Sequence, residues 1–411
     1  MDNSGTFKLY LLALFPGFFA YHLLHSLGYL PYFGWFGALI AAGSACMLAA
    51  SVMRALRNPI IERNYFIIVS SVYGLFLYCS AIILWNHLIS IESYITKDGL
   101  IWSATNIILM LGFFLIGCRL NPKINNLTGL CIALSYAMFA VGTYYFYNST
   151  NYTIILPVPE GADPESVASY QSMAMCVLYM TLTMSVFIST RFIKSMAMLA
   201  SAVILYFIGS RTEFYLILSI APLYIFINYG MRWFVRFAIL ASIPIAIIAS
   251  TIELNERFAD TINQFNEDSP RSLLLASGLQ GIYGSPFFGD YLGQARNGNS
   301  VADYIHNILS VYQQFGIIAL VIYSALLIFS LYIGFKLIRY ARVYKNVEAL
   351  LYASVISIIG VLASKALAWP LPALAWGLAS NIILNHRSAI SEIFATKPSA
   401  DPKSDHSSAA A

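Results

Sequence analysis

The chain alternates long apolar runs with short polar segments. Roughly twelve runs approach the ~20 apolar residues that a helix needs to cross a hydrocarbon core ~30 Å thick. The pattern therefore predicts an all-α polytopic integral membrane protein with about 12 transmembrane helices. The runs centre near residues 7–24, 34–53, 64–86, 99–118, 127–147, 170–190, 194–209, 213–229, 237–253, 306–338, 347–366 and 371–386. Three short runs (194–209, 213–229 and 371–386) could also be partial spans.

Two of the polar segments are long. Residues 148–169 contain Pro157, Pro159 and three acidic residues, which predicts an irregular lid. Residues 254–305 form the longest loop, and it should contain short helices. A Pro at the first helical position is favourable, so one of these helices should begin near Pro270. We expect it to lie along the membrane surface on an apolar face formed by Leu274, Leu275 and Leu279.

Composition supports this architecture. Of the 411 residues, 59% are hydrophobic and only 10% are charged, whereas soluble proteins have ~25% charged residues. Residues 1–395 are predicted to form one transmembrane domain. The tail, residues 396–411, is rich in Pro, Ser, Ala and charge and is predicted to be disordered. The five cysteines lie in or beside apolar runs, which favours buried packing thiols.

The positions of the basic residues predict the orientation. Seventeen of the 23 Lys and Arg residues fall in alternate inter-helix segments, as expected for cytoplasmic loops. Both termini are therefore predicted to be cytoplasmic, and both long loops to lie outside. Because the basic residues are dispersed, a nucleic-acid partner is excluded. The six basic residues on the outer side are Lys97, Arg211, Arg257, Arg271, Arg296 and Lys365.

Arg211 is the clearest exception to the inward bias of positive charge. It lies in the sequence IGSRTEF, between two short apolar runs. Its guanidinium should reach the outer membrane boundary and face the bundle. The alternative is that Arg211 extends to lipid phosphates or pairs with Glu213. Arg271 follows Pro270 at the predicted start of a helix. The alternative interpretation of Arg271 is a solvated side chain in the first turn of that helix.

His306 begins the run HNILSVYQQFG. The sequence predicts one helix from Ile305 to Ile338, about 50 Å long at 1.5 Å per residue. Its first turns would then project outward or line a cavity. In those turns His306, Ser310 and Gln313 share one helical face, which would form the wall of a site. The alternative is a histidine that is merely hydrogen-bonded at the interface.

Arginines around a cavity at the membrane boundary suit a phosphate or pyrophosphate, because the guanidinium fork binds its oxygens in pairs. An imidazole beside them suits a general base. The outward loops contain no carboxylate pair, Asp-rich metal motif, Gly-rich nucleotide loop or nucleophile elbow. We therefore expect a site without metal or cofactor.

Three sequences in succession carry a family resemblance. GSRT at 209–212, PRSLLLASGLQGIYGSPFFGDYLG from Pro270, and HNILSVYQQFG from His306 resemble the core of the O-antigen polymerase (Wzy-type) and O-antigen ligase superfamily. The detailed resemblance covers residues 208–318. It implies a membrane-embedded, GT-C-like glycosyltransferase that is metal-independent and inverting, works at the periplasmic face of the bacterial inner membrane, and uses undecaprenyl-pyrophosphate-linked oligosaccharides.

The resemblance also implies roles for individual residues. Arg211 and Arg271 would bind the donor pyrophosphate, and His306 would deprotonate the acceptor hydroxyl. The other expected substrate contacts are Arg257, Arg296, Asn307, Ser310 and Gln313.

Three functions remain open. The stretch SVASYQSMAMCVLYMTL resembles polymerases, which favours polymerisation of lipid-linked repeat units, with a chain-length regulator protein as a further partner. The first alternative is a ligase that transfers polysaccharide to lipid A core. The second is a flippase, which would often carry ionisable residues near the membrane midplane. The apolar runs offer chiefly Asn106 and Asn381 there.

Overall fold

The computed structural model describes residues 4–30, 41–49, 63–89, 97–120, 126–150, 152–161, 167–236, 270–297, 304–365, 367 and 369–385. In this part the elements are, in order, α1 (Ser4–Leu14), α2 (Pro16–Ser26), α3 (41–49), α4 (Arg63–Ile89), α5 (Lys97–Arg119), α6 (Asn126–Phe146), β1 (Tyr147–Asn148), β2 (Thr153–Ile154), α7 (Tyr170–Ser185), α8 (Arg191–Ile208), α9 (Arg211–Tyr229), α10 (231–236), α11 (Pro270–Gly284), α12 (Leu309–Lys336), α13 (Lys345–Ala363) and α14 (Leu371–Asn385). Short 3-10 turns occupy Gly293–Asn297 and Ile338–Tyr340.

Six helices of the described part are long and apolar enough to cross a membrane: α4, α5, α8, α9, α12 and α13. Two shorter apolar helices accompany them, Ile132–Phe146 within α6 and Leu371–Asn385. The chain is therefore a helical membrane protein. The count of about 12 spans remains a prediction.

Most predicted apolar runs correspond to one helix each. The runs 194–209 and 213–229 form α8 and α9, two separate helices. The first run is divided instead at Phe15, because Pro16 begins a new helix. The run 237–253 lies outside the described residues. Cys46 is exposed, so the prediction that the cysteines are buried is wrong for that residue.

The backbones of α5 and α14 approach closely. A Cβ on Gly117 would lie 2.5 Å from the Leu374 carbonyl oxygen, and one on Gly377 would lie 2.1 Å from the Phe114 oxygen. Small residues at such positions let membrane helices pack closely. Asn381 of α14 then donates to the carbonyl oxygens at the end of α5, which lack helical partners there.

Side-chain contacts sort the helix ends into two groups. We call one the site end, where the first turn of α9 meets the segment after α13 through Glu213 and Lys365. At the other, the opposite end, the first turn of α8 meets the first turn of α13 through Lys194 and Glu348. The helices α8 and α13 thus run in one direction and α9 in the other, as the distribution of basic residues predicts. Which end faces outside remains a prediction.

The opposite end holds a buried charged cluster that the sequence analysis missed. Lys194 Nζ lies 2.6 Å from Glu348 Oε2, and their side chains are 3% and 1% exposed. The second carboxylate oxygen accepts hydrogen bonds from Asn228 and Tyr352, at 3.1 and 2.7 Å. Lys345, at 3.6 Å, adds a second and more exposed cation. The cluster joins α8, α9 and α13.

Candidate active site at the site end

The turn before Arg211 has a defined shape. The helix α8 is capped by Gly209, the residue after its end, whose φ of 83° is in the left-handed region that favours glycine. A Cβ there would lie 2.6 Å from the Tyr152 carbonyl oxygen. Thr153 Oγ1 also donates to the Ile208 carbonyl at 2.6 Å. The predicted irregular lid thus begins as the β1–β2 hairpin, which packs on the turn. Arg211 is the first residue of α9 and is half-buried.

Glu213, two residues further, is fully buried. One carboxylate oxygen pairs with Lys365 Nζ, and the other accepts from the Ser210 hydroxyl. A buried carboxylate needs such partners because desolvation strongly disfavours an unpaired charge. The sequence predicted Lys365 only as an outward basic residue, and Glu213 only as an alternative partner of Arg211.

His306 precedes α12 rather than lying on it. The prediction of a helix from Ile305 is wrong, because α12 begins at Leu309. The Asn307 side chain explains the later start: its Oδ1 accepts from the Leu309 amide at 2.8 Å, as a helix-capping residue does. Asn307 therefore has a structural contact in addition to its predicted substrate contact.

Ser310 and Gln313 are buried, so the predicted polar wall on a cavity is wrong. Ser310 Oγ accepts from the Leu367 amide at 2.8 Å. Gln313 Oε1 accepts from the Ile305 amide at 3.1 Å. These side chains are 0% and 2% exposed. Gln313 thus holds the backbone just before His306, and Ser310 links the first turn of α12 to Leu367, two residues after Lys365.

The rings of Tyr304 and Trp102 form a row beside His306. Its ring lies 5.6 Å from that of Tyr304, which in turn lies 5.4 Å from Trp102 of α5. Burial raises the pKa of Tyr304 to about 12. Burial also raises the pKa of Tyr291, opposed by its hydrogen bond with Ser103. Both phenols therefore stay protonated near neutral pH.

The loop is joined to α12 at a break in the helix. Gly316 has φ 75° and ψ −175° inside α12. The Ile317 amide donates to the Pro286 carbonyl at 3.0 Å, and the Asp290 amide donates to the Gln313 carbonyl at 2.6 Å. We call these two bonds the clasp. They fix the loop 286–290 beside the first turns of α12.

We expect Gly316→Ala to destabilise the protein. Its φ and ψ are essentially restricted to glycine and cost a non-Gly residue ~1–3 kcal/mol. In addition, the new Cβ would lie 2.0 Å from the Phe287 carbonyl oxygen. Thermal unfolding of the purified protein measures the loss. The matched control is Gly74→Ala in α4, where a Cβ meets nothing within 4 Å. An unchanged melting temperature in Gly316→Ala would contradict the strained geometry.

A second glutamine of α12 was missed by the sequence analysis. Gln314 Oε1 accepts from the Leu292 amide at 3.1 Å, and its Nε2 donates to Gln294 at 2.8 Å. Leu292 has φ 56°, an uncommon value for a side chain of this kind. The signal in the sequence was a buried amide in an apolar helix, since such an amide needs partners.

The helix α11 begins at Pro270, as predicted. Gly278 and Ile282 form its buried face, and a Cβ on Gly278 would lie 2.4 Å from the Ile305 side chain. Of the predicted leucine face, Leu275 is 36% exposed, whereas Leu274 and Leu279 are half-buried. Attachment to the membrane surface through these leucines remains a prediction.

The remaining predicted arginines differ in how far the structure describes them. Arg271 is the second residue of α11, but its side chain lies outside the described part. Arg257 lies outside the described residues altogether. Arg296 Nη2 is 2.7 Å from Asp290 Oδ1, and its side chain is 52% exposed. An exposed pair of this kind contributes little to stability, ~0–1 kcal/mol, so Arg296 could exchange its partner for a phosphate at low cost.

The described part contains an apolar cavity and a narrow slot. One, of about 480 Å³, lies between α2 and α6 and is lined by apolar residues such as Phe19 and Val141. It lies among none of the predicted site residues. The other is a narrow slot of about 30 Å³ beside the first turns of α12. It borders Trp102, Asn106 and Gln314 and has room for about one water.

No model of a known protein family and no curated protein matches the chain. The resemblance to O-antigen polymerases and ligases therefore rests on the residues quoted above. The structure brings two of these sequences, the Arg211 turn and the His306 segment, to the same end of one bundle. It connects them through the paired side chains of Glu213 and Lys365 and the bond between Leu367 and Ser310.

Proposed function

We propose that this chain is a GT-C-like glycosyltransferase that polymerises undecaprenyl-pyrophosphate-linked repeat units at the periplasmic face of a bacterial inner membrane. One observation carries the proposal. The Arg211 turn and the His306 segment lie at one end of the bundle, joined by Lys365 and Leu367. The assignment to the O-antigen polymerase family rests on the resemblance of the three motif sequences.

In the proposed reaction, Arg211 and Arg271 bind the pyrophosphate of the donor. His306 accepts the proton of an acceptor sugar hydroxyl while the hydroxyl oxygen attacks the anomeric carbon. The bond from that carbon to the pyrophosphate oxygen breaks, the configuration inverts, and undecaprenyl pyrophosphate leaves. Fixed guanidinium groups stabilise the charge that develops on the leaving group, so no metal is required.

The contacts described above refine the other predicted roles. Ser310, Gln313 and Asn307 hold backbone amides, so we assign them to positioning the His306 segment. Arg296 and Arg257 stay as secondary substrate contacts. A chain-length regulator protein remains a proposed partner. We also propose that the protein has about 12 membrane spans and two cytoplasmic termini.

The decisive experiment supplies purified protein in nanodiscs with lipid-linked repeat units extracted from its host cells, without lipid A. A ladder of longer lipid-linked chains supports polymerisation. Silence that is relieved by adding lipid A core would establish the ligase alternative. Movement of the lipid-linked substrate across liposomes without new glycosidic bonds would establish a flippase, and either result would overturn the polymerase proposal.

A further inference from the structure

Lys365 lies where the two halves of the proposed site meet. Its Nζ pairs with Glu213 in the first turn of α9, two residues after Arg211. Two residues along the chain from Lys365, the Leu367 amide donates to Ser310 in the first turn of α12. We call Lys365 and Leu367 together the strap. The strap thus contacts both α9, which begins with Arg211, and α12, which follows His306.

The backbone of the strap is fixed to α13. The Lys365 amide donates to the Gly360 carbonyl at 2.7 Å, and the Ser364 amide donates to the same oxygen at 2.9 Å. Trp369, just beyond the strap, packs on Gly360, where a Cβ would lie only 2.4 Å from its ring. Because Gly360 of α13 fixes the chain on both sides of the strap, the strap can hold the first turns of α9 and α12 at a fixed distance from each other.

The partner of Lys365 is equally constrained. The Glu213 side chain is fully buried, and Ser210 occupies its other oxygen. Its place in the first turn of α9 also puts the carboxylate near the positive end of the helix dipole. Lys365, 16% exposed, is therefore a fixed structural partner rather than a mobile surface cation.

We propose that Lys365 is a positioning residue that sets the spacing between Arg211 and His306. It acts through Glu213 on the first turn of α9, while Leu367 acts through Ser310 on the first turn of α12. The inference rests on the proposed function, since that function assigns the two groups to one reaction. A displacement of ~1 Å at reacting groups can cost ~100-fold in rate, so a loosened spacing should reduce turnover.

The test compares Lys365→Met with the double variant Lys365→Met, Glu213→Gln in the nanodisc assay. We expect kcat to fall by ~10- to 100-fold in Lys365→Met, with KM for the lipid-linked donor changed less than ~3-fold. The double variant removes the unpaired buried carboxylate and should recover thermal stability. Its kcat should nevertheless stay low, because the link between α9 and the strap is still missing.

Lys365→Arg retains the cation and should recover most of the lost kcat. The matched control is Lys345→Met, which removes a partly exposed lysine from an ion pair at the opposite end and should leave kcat unchanged. Wild-type kcat in the double variant would overturn the inference, since Lys365 would then only neutralise Glu213. Equal losses in the Arg and Met variants would also overturn it.

The result is separable from the proposed function. Activity that survives His306→Ala and Arg211→Ala would refute the function itself. Loss of activity in those two variants together with normal kcat in Lys365→Met would refute only the positioning role.

Discussion

Cells that carry His306→Ala or Arg211→Ala are expected to lose long-chain polysaccharide while the protein remains inserted and abundant. Loss of a general base typically costs ~10²- to 10⁴-fold in rate. Loss of a guanidinium removes a paired contact to phosphate oxygens that a single point charge does not reproduce. The chain-length ladder on gels measures the product, and an immunoblot of membranes measures the protein.

Two further variants sharpen this result. Arg211→Lys keeps the charge without the planar fork, so it should restore only part of the ladder. Arg232→Ala removes an exposed arginine from α10, outside the proposed site, and should give a normal ladder. Normal ladders in His306→Ala or Arg211→Ala at normal protein levels would rule out the proposed mechanism.

Lys194→Met is expected to destabilise the protein strongly without touching the proposed site. It would leave Glu348, 1% exposed, without its closest cation. Removing one member of a buried ion pair typically costs ~3–5 kcal/mol, because the remaining charge stays desolvated. Thermal unfolding in detergent measures the effect, with the yield of monodisperse protein as a second measurement.

The opposite end provides its own control for this prediction. Lys345→Met removes the other cation of Glu348, which lies further away and is 18% exposed, so its effect should be much smaller. Replacing both members, as in Lys194→Met with Glu348→Gln, should recover part of the stability because no unpaired charge is left. Similar melting temperatures for Lys194→Met and Lys345→Met would show that the buried pair contributes no more than the exposed one.

Local sequence signals predicted much of the helical framework. Long apolar runs gave the helices of the bundle, and Pro270 correctly marked the start of α11. Gly209 lay at the end of α8, where a left-handed cap requires it. Each of these features is set by residues within one or two turns, so the sequence contains the information.

The features that escaped prediction depend on distant residues. The break at Gly316 is stabilised by backbone groups about 30 positions earlier in the chain, and a lone glycine in an apolar run is ordinarily tolerated within a helix. Ser310 and Gln313 showed a helical spacing, but their partners, Leu367 and Ile305, became visible only in three dimensions. The start of α12 is different, since Asn307 was a readable capping signal that was overlooked.

The buried ion pairs were also beyond sequence reasoning. Lys194 and Glu348 are separated by 154 positions, and Lys365 and Glu213 by 152. From the sequence, each lysine indicated only on which side of the membrane its loop lies. Counting basic residues predicts the side of the membrane on which a loop lies, whereas the pairing of charges depends on which helices are neighbours.

The clasp between the loop and α12 has an evolutionary consequence. Its two hydrogen bonds use only backbone groups, and its close approach requires glycine at 289 and 316. Phe287 and Phe288 point outward and are 66% and 64% exposed. Mutation can therefore replace these two aromatic side chains freely without moving the loop. A lineage could therefore vary this exposed surface while inheriting the same backbone frame.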